Sequence, residues 1–79
     1  MSNTEIRKLS DLKANDKGTI TGFRLPDQGV ERLKSMGITV GAKVTSMRVA
    51  PFSHTLIISV EGRLYALRSE TAEGILLKK

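Results

Sequence analysis

SMGITVGAKVTSMRVAP, residues 35–51, decides how this chain folds. Gly37 stands where a helix would end, as a residue that readily takes the left-handed conformation of a helix C-terminus. Ile38 to Ala42, with Gly41, reads as a turn, and Lys43 to Ala50 as a strand that Pro51 stops. The apolar positions of that strand run Val44, Met47, Val49. The three-residue step from 44 to 47 breaks the strand period of two and marks a bulge that bends the strand.

Upstream, LSDLKANDKG offers Ser10 as the N-cap of a single helical turn, and Asn15 to Gly18 reads as a turn. Thr19 to Arg24, with Thr19, Ile20, Thr21 and Phe23, reads as a strand, and Gly22 inside it suggests a bulge or a close backbone approach. Pro26-Asp27 opens a helix of about ten residues with Asp27 as the predicted N-cap. Val30, Leu33 and Met36 recur at helical spacing along one face. Downstream, Thr55 to Val60 alternates Leu56, Ile58 and Val60 on one face. Glu61-Gly62 is a two-residue hairpin joint, and Arg63 to Arg68 returns antiparallel. Ser69 is placed to cap one helical turn, SETAE. Gly74 ends it, and Ile75 to Leu77 is a last strand.

The expected fold is therefore mainly β: about five short strands, one inserted α-helix and short helical turns. A flat sheet of that size would expose two edges and an apolar face, so the bends point to a small β-barrel. Residues 1–8 read as a polar N-terminal extension and 9–79 as the domain. At 79 residues the chain is expected to form one domain with a thin stability margin. It has no cysteine, so its core must be hydrocarbon, and the composition fits a reducing cytoplasm. The start, MSNTEIRK, lacks the apolar stretch of a secretory leader. The longest apolar runs, such as Leu56-Ile57-Ile58, are far short of the ~20 residues that span a bilayer. Any membrane association must then run through a protein partner or surface charge.

Few chemistry-bearing groups are available. His54 is the sole histidine and sits in a loop, where a solvated imidazole is the simplest reading. No Cys–His pair, serine elbow, glycine-rich phosphate loop or metal-ligand spacing occurs. No enzyme activity and no cofactor is expected. What is left is binding. Phe52, beside Pro51, is an aromatic in a loop and a natural anchor for a partner pocket. Met36 at the helix end suits an adaptable contact, and Arg48 and Arg68 fall on the expected solvent faces. The formal charge of +5 favours anionic partners, although no run of like charge exceeds two residues.

The ordered pieces LSDLKANDKGTITGF, ERLKSMGITVGAKV, RVAPFSHTLIISVEG and LYALRSETAEGILL resemble the FeoA family of ferrous-iron transport proteins. They are also similar to the SH3-like C-terminal module of DtxR-type iron-dependent repressors. The resemblance implies an SH3-like barrel with a helix inserted after its first strand. It further implies a cytoplasmic accessory protein that binds the GTPase-bearing cytoplasmic region of a FeoB-type membrane transporter, reaching the membrane only through that partner. The candidate contact residues are Leu33, Met36, Arg48, Pro51, Phe52 and His54, with no catalytic, cofactor or metal ligands. Two departures stand out: Val40 replaces a frequent proline before Gly41, and Phe52-Ser53-His54 replaces a loop that often reads Leu-Gly-Asp. The alternative is a basic SH3-like barrel that binds nucleic acid. Against it, single-strand binders stack bases on several aromatics, and this chain has three aromatics in all. Nucleic acid is therefore not the expected partner. Open strand edges and the Met36 face would permit weak self-association.

Overall fold

The computed structural model describes residues 6–49 and 54–78. The elements are β1 (Ile6–Lys8), a 3₁₀ turn (Leu9–Asp11), β2 (Lys17–Phe23), α1 (Asp27–Ser35), β3 (Lys43–Val49), β4 (Thr55–Val60), β5 (Arg63–Arg68), α2 (Ser69–Glu73) and β6 (Ile75–Lys78). The strands form one antiparallel six-stranded sheet in the order β1-β6-β2-β3-β4-β5. The mainly β, SH3-like barrel architecture expected from the sequence is the one observed. Strand pairing does not close it, however. β1 and β5 remain the edges, and α2 packs on the 3₁₀ turn, β4, β5 and β6. Side-chain packing thus closes the end that hydrogen bonds leave open.

One face of each of β2 to β6 feeds a single core. Ile20, Val44, Leu56, Ile58, Val60, Leu67, Ile75 and Leu77 are buried at period-two positions, joined by Leu9, Leu12, Leu33, Ile38, Ala42 and Ala72 from the joints and helices. Two register shifts bend the strands around it, between Ile20 and Gly22 in the β2–β6 ladder and between Ser46 and Arg48 in the β3–β4 ladder. The second falls at the end of the broken period from Val44 to Met47, read as a bulge, and the first beside Gly22, where a bulge is one of the two readings.

The β3 bulge differs in its detail. Alternation continues past Val44 to Ser46, which is fully buried, and Met47, expected to face inward, is the bulged residue and 42 % exposed. The reason lies in the backbone. The Asn15 N–H donates to the Ser46 carbonyl at 2.5 Å, and the Ser46 N–H donates to the Asp16 carbonyl at 2.8 Å. These bonds hold Ser46 in the ladder and push the extra residue one position later. Asn15, at φ 73°, tolerates the left-handed turn that delivers them.

Three caps differ from expectation as well. Lys8, Pro26 and Arg68 occupy the N-cap positions of the 3₁₀ turn, α1 and α2, none with a side-chain cap bond. Ser10, Asp27 and Ser69 each lie one or two residues inside. Tertiary burial sets these starts instead: Leu9 is fully buried, and Pro26 brings its own fixed φ of −57° to the entry of α1. Asp27 then sits in the first turn, where its charge favours the helix dipole. β1 was not read from the sequence. It pairs with β6 through Ile6↔Lys78 and Lys8↔Leu76, a long-range pairing that three residues cannot advertise.

Gly37 takes φ 88° at the end of α1, as its position required. Gly74 is glycine for another reason, since its φ is −93°. A Cβ there would lie 2.6 Å from Leu25 Cγ and 2.8 Å from the Arg24 carbonyl oxygen. The Arg24 N–H donates to the Gly74 carbonyl at 2.7 Å, so the two backbones touch directly.

The Ser46 hydroxyl is buried with no hydrogen-bond partner among the described residues. A desolvated hydroxyl without a partner costs roughly 1–3 kcal/mol. Ser46→Ala removes that cost while keeping the backbone bonds. It should stabilise the fold by about 1 kcal/mol, read as a rise in urea midpoint at unchanged slope.

Candidate functional site

Because α1 is inserted between β2 and β3, its last turn lies beside the edge strand β5. A groove of ≈ 260 Å³ runs between them, lined by Gly29, Arg32, Leu33, Met36, Ala66, Leu67, Arg68 and Thr71. A second cavity of ≈ 320 Å³ continues past the helix end, lined by Met36, Gly37, Val60, Glu61, Arg63 and Tyr65. Met36 stands in the wall of both. Its backbone is fixed by two bonds. The Met36 N–H donates to the Leu33 carbonyl at 3.0 Å, and the Tyr65 hydroxyl donates to the Met36 carbonyl at 2.6 Å. The thioether is half-buried and stays adaptable on a rigid base.

The contact residues expected from the sequence separate into three groups. Leu33 is 2 % exposed and belongs to the core, so it can offer a partner no more than the groove floor. Met36 reaches the surface. His54 is exposed immediately before β4, and its carbonyl accepts the Ser69 N–H at 2.7 Å. Arg48 lies in β3 opposite Ile57. Pro51 and Phe52 lie outside the described residues.

Arg68 joins two of these groups. It lines the α1–β5 groove and pairs with Thr55, the neighbour of His54. The Met36 groove and the start of β4 are therefore parts of one side of the molecule. Sequence reading placed Arg68 on a solvent face but had no means of seating it in a groove.

The exposed face of β5 adds Leu64, 65 % exposed, and Ala66. The β4–β5 hairpin puts Val60 opposite Arg63 across Glu61 (φ 52°) and Gly62 (φ 85°), the left-handed pair of a type I′ turn. That pairing directs the backbone groups of Leu64, Ala66 and Arg68 away from β4. An unpaired strand edge with an apolar side chain is a template for a partner.

Among the described residues no group of three or more His, Asp or Glu side chains could hold a metal ion. None of their helices is long and apolar enough to cross a membrane.

The fold and these grooves define the class: a small SH3-like barrel with two surface cavities beside an open strand edge. Comparison with known families is specific, because the FeoA domain model matches residues 7–79. The chain belongs to the FeoA domain family. A crystal structure of an iron uptake regulatory protein, FeoA, is 27 % identical, with a TM-score of 0.84 over 94 % of this chain and 97 % of that one. The solution structure of the FeoA protein from Chlorobium tepidum is 33 % identical, with a TM-score of 0.85 over 91 % and 69 %. A manganese-dependent transcriptional repressor shares the fold alone, at 18 % identity and a TM-score of 0.89, over 99 % of this chain and 44 % of the repressor. No curated protein matches significantly.

Tyr65→Phe deletes the donor to the Met36 carbonyl and little else. Loss of this half-buried bond should cost about 1 kcal/mol of stability, measured by urea unfolding. The amide resonances of Met36 and Gly37 should shift while those of β2 stay in place.

Proposed function

We propose that this protein is a cytoplasmic accessory module of ferrous-iron uptake that binds the GTPase-bearing cytoplasmic region of a FeoB-type membrane transporter. The observation that carries the reading is the match of the FeoA domain family along residues 7–79, supported by FeoA structures that superpose over nearly the whole chain. The chemistry of the surface agrees with a binding role. The described residues offer the half-buried Met36 and the exposed Arg32 and Arg68 around a groove, residue types suited to interfaces, and no constellation of acid, base and nucleophile.

The α1–β5 groove is the contact surface in this reading. Met36 enters an apolar pocket of the partner, and Arg32 and Arg68 flank it as the charged rim. The free edge of β5 lies beside them. The protein itself performs no catalysis and holds no cofactor. Ferrous ion is the transporter's cargo.

Titration of the labelled protein with the transporter's soluble cytoplasmic region tests this. Amide perturbations should cluster at Met36, Ala66, Arg68 and Thr71. Met36→Glu, which forces a charge into the apolar contact, should weaken binding at least tenfold, about 1.4 kcal/mol. Absence of binding at high micromolar concentration, or perturbations confined to β2 and β6, would overturn the reading.

A further inference from the structure

No two of Lys17, Lys43 and Lys78 are near one another in sequence, yet the sheet gathers all three. The strand registers pair Thr19 with Lys43 on one side and with Lys78 on the other, and Lys78 with Ile6. One row across four strands therefore reads Ile6, Lys78, Thr19, Lys43. Lys17 opposes Thr45 in the next row on the same face. The three lysines line a shallow cleft of ≈ 340 Å³ with Gly18, Thr19, Val44 and Thr45. Among the described residues no carboxylate lines it. The Glu61 Oε1 accepts the Lys43 backbone N–H at 3.4 Å.

We infer that this outer face of β1, β6, β2 and β3 docks the protein on an anionic lipid bilayer surface. Charge complementarity carries the inference, since Lys17, Lys43 and Lys78 concentrate positive charge on one face of a chain of net charge +5. Clustered lysines are drawn to anionic leaflets at short range. The lysine chemistry also discriminates. Lysine is a mobile point charge suited to many interchangeable phosphates, whereas bidentate recognition of one phosphate favours arginine. No aromatic among the described residues lines the cleft, and single-stranded nucleic acid favours a stacking platform of aromatics. Ile6, 60 % exposed at the end of the lysine row, supplies an aliphatic side chain for the headgroup region. The cleft shares no residue with the α1–β5 groove, so bilayer and protein contacts can coexist. The inference does not depend on the identity of the protein partner.

Co-sedimentation with vesicles tests it, using the purified full chain at low ionic strength. The expected result is binding to phosphatidylcholine vesicles containing phosphatidylglycerol, weakened by salt, and none to phosphatidylcholine alone. Replacing the three lysines together (Lys17→Gln, Lys43→Gln, Lys78→Gln) should lower the partition coefficient about a hundredfold. A charge-matched control (Lys13→Gln, Arg24→Gln, Lys34→Gln) should lower it less than fivefold. Should the triple variant fail to fold, the single Lys43→Glu variant carries the same comparison against Lys34→Glu. Equal losses in cleft and control variants, equal binding to neutral vesicles, or no binding to anionic ones would overturn the inference.

Discussion

Everything in this fold depends on bending a sheet that has only one hydrocarbon face. A flat arrangement would leave Ile20, Val44, Ile58, Ile75 and Leu77 on an open surface. The bulges at Thr21 and Met47 turn the strands around that face. Two backbone hydrogen bonds between Asn15-Asp16 and Ser46 fix the second bend. With one buried cluster and no disulfide to assist it, the fold has little reserve, and the buried hydroxyl of Ser46 draws on it further.

The bend also creates the surfaces. Curling the sheet leaves β5 as an edge and sets it beside the last turn of α1, which opens the Met36 groove. On the other half, the paired registers of β1, β6, β2 and β3 bring remote lysines onto one outward face. Groove and lysine cleft draw on different strands. In the proposed function the groove meets a membrane transporter, and the lysine face turns toward the bilayer in which such a transporter sits. A module with two weak contacts to one assembly gains effective concentration from each.

Much of this was legible in the sequence because local chemistry states it. Alternation in β4 and β5, the Glu61-Gly62 turn and Gly37 at the end of α1 are short-range signals, and each names its element. Both bulges left a signal too, one in Gly22, which suggested a bulge or a close backbone approach, and one in the broken period around Met47. Features that depend on distant partners were hidden. β1 exists because β6 offers an edge, and the inward residue of β3 is Ser46 because the Asn15 turn holds its backbone. The helix starts shifted because buried Leu9 and the fixed φ of Pro26 outweighed the side-chain caps. At the candidate site, Met36 was legible from helical spacing and position. The seat of Arg68 in the groove was not, because it depends on how α1 approaches β5. The lysine face was invisible for the same reason: residues 17, 43 and 78 meet only through strand register.

The central claim is that one barrel side binds protein through the α1–β5 groove. Photo-crosslinking from single positions, in membranes that contain the FeoB-type transporter, tests it most directly. A photoreactive residue in place of Ala66, which lines that groove, should crosslink to the transporter's cytoplasmic region. The same residue in place of Thr45, in the lysine cleft, should not. Transporter adducts from Thr45 with none from Ala66, or from neither position, would contradict the account.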